Sequence, residues 1–111
     1  MLYVGRLVLS QSPDLYDVFD VLRDKVHDWN SIGRELKISY EPFRKGLEME
    51  GIMMTNESKL EKVLNKWAET KCSPVTWLTV LKVLKILQYK DILESTQLLL
   101  KREDILNKYF Q

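Results

Sequence analysis

The stretch Ser73–Leu87, SPVTWLTVLKVLKIL, constrains this chain more than any other. Between Val75 and Leu87 it holds nine apolar residues and four polar ones, Thr76, Thr79, Lys82 and Lys85. A helix at the rim of a protein is apolar along one stripe; a helix that is apolar nearly all round needs neighbours on most sides. The stretch is therefore expected to run through the middle of a packed set of helices, with Ser73 as its cap and Pro74 in its first turn. Thr79, Lys82 and Lys85 mark the narrow strip that would reach solvent.

The rest of the chain supplies such neighbours. The 111 residues are enough for one ordinary domain. Four Gly and three Pro leave little punctuation for a β-sandwich. Six helical segments are expected. In SPDLYDVFDVLRDKV, Ser12 caps, Pro13 occupies the first turn, and Leu15, Val18, Phe19, Leu22 and Val26 recur at helical spacing. Asp14, Asp17, Asp20, Asp24 and Asp28 recur nearly opposite them. A second segment, DWNSIGRELKI, aligns Trp29, Ile32 and Leu36, followed by Ile38, with Arg34 and Lys37 pointing elsewhere. Gly33 inside it costs roughly 0.5–1 kcal/mol against Ala, which suggests close approach of a neighbour. The third, SYEPFRKGLEMEG, turns Phe43 and Leu47 inward and Arg44 and Lys45 outward. The fourth, TNESKLEKVLNKWAET, is capped by Thr55 or Asn56 and buries Leu60, Val63, Leu64 and Trp67, with Lys59, Lys62 and Lys66 opposite. The fifth is the apolar stretch itself, with Trp77, Leu81 and Leu84 inward. The sixth follows Gln88.

Chemistry is thinly represented. His27 is the only histidine and Cys72 the only cysteine. No sequence neighbour activates either one, and no internal disulfide is possible. No CxxC, HExxH, GxSxG, Walker or GxGxxG pattern occurs. The carboxylates lie on helix faces among lysines, where nothing separates two of them in pKa. The expectation is a non-enzyme with no catalytic residue, metal or cofactor. Net charge is +1, so nothing draws the whole domain to nucleic acid. No apolar run is long enough to cross a bilayer.

The ordered apolar set resembles the death domain family. It runs from Trp29, Ile32, Leu36 and Ile38 in DWNSIGRELKIS, through Leu60, Leu64 and Trp67 in KLEKVLNKWAET, to Thr76-Trp77, Leu81 and Leu84 in VTWLTVLKVLKIL. The similarity covers residues 13–100, leaving 1–12 as an N-terminal extension or linker and 101–111 as a C-terminal helical extension. It implies an all-α, six-helix antiparallel Greek-key bundle of the death-fold type. It also implies homotypic or heterotypic assembly with other death-fold domains in apoptotic or immune signalling, a cytoplasmic setting or the cytoplasmic part of a larger protein, and no catalysis. The aspartate row would meet a basic counter-surface of Arg34, Lys37, Arg44 and Lys45, and the Lys59, Lys62 and Lys66 stripe is a further interface candidate. Opposite charges on different faces suit head-to-tail stacking.

Two other readings compete. SIGRELKISYEPFRKGLEMEG also fits a helix-turn-helix that would present Tyr40, Glu41, Arg44 and Lys45 to a DNA groove. Against it, residues 31–51 hold four acids and four bases, Arg34, Lys37, Arg44 and Lys45 against Glu35, Glu41, Glu48 and Glu50, whereas such docking rests on an excess of positive charge. The second alternative is a helical scaffold that does not self-associate.

Overall fold

The computed structural model describes residues 12–38, 45–46 and 54–101. All regular structure among them is helical, and no strand occurs. The chain divides into two compact units, one spanning Asp14–Pro74 and the other containing everything from Val75 onward.

The first unit begins with α1, Leu15–Leu22. Its cap is Asp14, not Ser12: the Asp14 carboxylate accepts from the Tyr16 backbone N–H at 2.8 Å. Pro13 therefore precedes the cap instead of occupying the first turn. The expected continuation of this helix through Val26 gives way to a 3₁₀ helix over Arg23–Asp28, with Lys25 kinked out of helical geometry at φ −120°. In a 3₁₀ helix residues three apart lie on one side. Val26, half-buried, therefore does not continue the α-helical face on which α1 buries Val18 and Leu22.

The chain passes directly into α2, Trp29–Glu35, which buries Trp29, Ile32 and Gly33. α2 closes on Lys37 at φ 65°. The Ile38 N–H bonds back to the Gly33 carbonyl and the Lys37 N–H to that of Arg34, the paired closure that normally takes Gly at the left-handed position. Of the third expected segment, Lys45 and Gly46 are helical and exposed; Phe43, Arg44 and Leu47 lie outside the described residues.

α3, Asn56–Thr70, is the long element of this unit. The Thr55 hydroxyl accepts from the Ser58 N–H at 3.2 Å, and Glu57 sits in the first turn, where the positive end of the helix dipole favours it. α1, the 3₁₀ helix and α2 all pack on α3. Leu60, Val63, Leu64 and Trp67 are buried along it. Removing an indole from water takes away about 150–250 Å², on the order of 4–6 kcal/mol at roughly 25 cal/mol per Å². α3 ends on Lys71 at φ 53°, whose N–H bonds to the Trp67 carbonyl at 2.8 Å.

One side chain ties this unit shut. The Trp67 Nε1–H donates to the Ser73 Oγ at 2.9 Å. The Ser73 hydroxyl in turn donates to the Leu36 carbonyl at 2.6 Å. Ser73 therefore links the last turns of α2 and α3 and does not cap the following helix, contrary to the expectation; one hydroxyl does not serve both ends.

The second unit contains α4, Trp77–Ile86, and α5, Lys90–Leu99, packed on each other. The α4 cap is Thr76, whose hydroxyl accepts from the Thr79 N–H at 3.3 Å. Gln88 at φ 62° closes α4 with the same paired bonds, Tyr89 N–H to Leu84 and Gln88 N–H to Lys85. Trp77, Val80, Val83 and Leu84 are buried. Leu81 is half-buried. Leu78 and Ile86, however, are 43% and 59% exposed. The helix that reads as apolar nearly all round is thus buried along one side only, and its solvent strip is wider than Thr79, Lys82 and Lys85. Thr96 and Leu100 are buried on or just after α5.

Two outcomes are expected. Ser73→Ala strands the Trp67 N–H and the Leu36 carbonyl together, so chemical denaturation should show a loss of about 1–3 kcal/mol. In a Trp67→Phe background, the same change should cost measurably less. Lys71→Gly relieves a left-handed residue with a side chain and should raise stability by about 1 kcal/mol, read as a higher denaturation midpoint with unchanged slope.

Candidate interaction surfaces

The charged residues expected to form interfaces are distributed differently from the sequence pattern. The five aspartates do not share one helix face. Asp14 is a cap, Asp17 and Asp20 are on α1, and Asp24 and Asp28 belong to the 3₁₀ helix. Asp20 pairs with Arg23 at 3.0 Å, and Asp28 lies 3.7 Å from the exposed His27. Arg34, Lys37, Lys45 and Lys62 are exposed, and Lys66 is half-buried.

Lys59 does more than face water. Its ammonium lies 5.2 Å from the centre of the Trp29 ring, so α3 reaches across to α2 and covers an indole that is otherwise a core residue. The sequence carries a faint signal for this, since Lys59 is the residue next to the inward Leu60. Nothing in the spacing alone brings Trp29 beneath it.

A further feature has no counterpart in the periodicity. α1 and α3 leave between them a half-open cleft of about 300 Å³, lined by Leu15, Tyr16, Phe19, Arg23, Glu61, Leu64 and Asn65. Leu15 and Phe19, expected in the core, are half-buried along it. Tyr16 is 75% exposed. The Arg23 guanidinium lies 5.9 Å from the Phe19 ring centre while pairing with Asp20. Its charge is thus offset locally, and Glu61 makes no ion pair with any described residue.

Reactive side chains are sparse among the described residues. Cys72 is exposed, with its sulfur 2.9 Å from the Thr70 hydroxyl. Among the described residues, no three His, Cys, Asp or Glu stand close enough to hold a metal ion. No described helix is long and apolar enough to cross a membrane. The Trp77 Nε1–H is buried with no hydrogen-bond partner among the described residues. No protein-family model, curated protein or solved structure matches the chain.

The Lys59–Trp29 contact is testable. Lys59→Met keeps most of the stem and removes the charge, and should cost about 0.5–1 kcal/mol. A double-mutant cycle with Trp29→Leu should return a coupling of similar size, measured by urea denaturation.

Proposed function

We propose that this chain is a non-enzymatic protein–protein interaction module of the death-domain type, a six-helix Greek-key bundle. It self-associates, or pairs with other death-fold domains, through oppositely charged surfaces. In this reading it works in apoptotic or immune signalling on the cytoplasmic side. The observation that carries the proposal is the fate of the residues on which the resemblance rests. Trp29, Ile32, Leu36, Ile38, Leu60, Leu64, Trp67, Trp77 and Leu84 are buried, and Leu81 of the same set is half-buried, each on a helix or at a helix end of the described chain. Arg34, Lys37 and Lys45 are exposed, as are Asp20 and Asp24, so both signs of charge are presented to solvent. Exposed charge of this kind directs encounter and register more than it sets affinity.

The test is light scattering across protein concentration and salt. Oligomers should grow with concentration and dissolve as salt rises, because exposed charges are screened beyond about 10 Å at 0.1 M ionic strength. Asp24→Lys and Arg34→Glu should each reduce the assembled fraction at least several-fold, with an unchanged circular dichroism spectrum and melting temperature. A wild-type chain that stays monomeric at every salt concentration, alone and with other death-fold domains, would overturn the proposal.

A further inference from the structure

Among the described residues, two exposed surfaces combine apolar side chains with unpaired charge of opposite sign. The first is the cleft between α1 and α3, with an apolar floor of Leu15, Phe19 and Leu64. At its edge stands Glu61, with no ion pair among the described residues. The second is the outer side of α4. At 100° per residue, Leu78, Lys82, Lys85 and Ile86 fall within one arc opposite the buried Trp77, Val80, Val83 and Leu84. Leu78 and Ile86 are exposed apolar side chains, and Lys82 and Lys85 between them make no ion pair with described residues. α4 carries no acidic residue, so this strip is purely basic and apolar.

We propose that the α4 strip of one copy of this chain seats in the α1–α3 cleft of a second copy. Ile86 enters the apolar floor and Lys82 or Lys85 meets Glu61. The argument is complementarity in both respects. A cleft of about 300 Å³ admits a side chain but not a helix, and Ile86 is a branched apolar side chain that α4 already holds out at 59% exposure. The unpaired carboxylate is on the concave side, and the unpaired ammonium groups are on the convex side. The two surfaces are different, so the contact is heterologous. Each copy keeps one surface free for the next, and assembly is open-ended unless the rotation closes a ring. This inference rests on the self-association proposed above: the exposed charges around Asp24 and Arg34 steer the encounter, and the strip and cleft supply the contact that holds it.

The experiment is complementation of two defective copies, followed by sedimentation velocity. Ile86→Asp spoils the strip and leaves the cleft; Glu61→Lys spoils the cleft edge and leaves the strip. Both positions are exposed, and circular dichroism checks that each variant is folded. Each variant alone should sediment as a monomer where the wild type assembles. Mixed in equal amounts, they should form a one-to-one dimer and stop there, since only one sound strip and one sound cleft remain per pair. If the wild type assembles and both variants assemble equally well, this contact is wrong while self-association stands. A mixture that stays monomeric also overturns the contact. If the wild type itself is monomeric under every condition, both this contact and self-association fall.

Discussion

The unit from Asp14 to Pro74 depends on one hydroxyl. Ser73 accepts from the Trp67 indole and donates to the Leu36 carbonyl, joining residues 37 positions apart in sequence. A buried indole N–H without an acceptor is costly, as is an orphan carbonyl at a helix end. The relay satisfies both at once. It also sets where the chain leaves α3. Lys71 turns into the left-handed region, Cys72 faces solvent, and Ser73 returns to the end of α2. Hydrophobic burial supplies the driving force for this unit, but it is non-directional. The relay is what makes the positions of the two helix ends specific.

Much of this was legible from spacing. Apolar residues three and four apart on DVFDVL, WNSIGREL and KLEKVLNKW correctly mark Val18, Leu22, Trp29, Ile32, Leu36, Leu60, Val63, Leu64 and Trp67 as inward, because periodicity reads directly onto a helix face. What periodicity misses is anything that depends on a second element. The Ser-Pro pair at 73–74 looks like a helix start, yet its hydroxyl is claimed by Trp67 and Leu36. The aspartate row looks like one stripe only if Leu15 to Asp28 is one α-helix. The 3₁₀ turn at Arg23 breaks that register, and no local residue announces it. Lys37, Lys71 and Gln88 hold left-handed positions where a reader looks for Gly or Asn.

The candidate surfaces illustrate the same division. Charge is visible in a sequence, but whether a charge is already answered is not. Arg23 looks available until Asp20 and Phe19 are placed around it, and Lys59 looks solvated until Trp29 lies beneath it. Glu61 looks like one acid among many, and it takes the cleft beside it to give that carboxylate a setting. Apolar excess is equally ambiguous: α4 has enough for burial on every side and spends part of it on solvent, at Leu78 and Ile86.

The three tryptophans occupy three distinct electrostatic settings. One donates to a hydroxyl, one lies under an ammonium group, and one is buried with its N–H unpartnered among the described residues. Trp29 and Trp67 belong to the Asp14–Pro74 unit and Trp77 to the other. The chain thus carries its own optical labels. Single-tryptophan versions give emission signals assigned to one unit or the other, so the order in which the two units melt can be followed without attaching a dye.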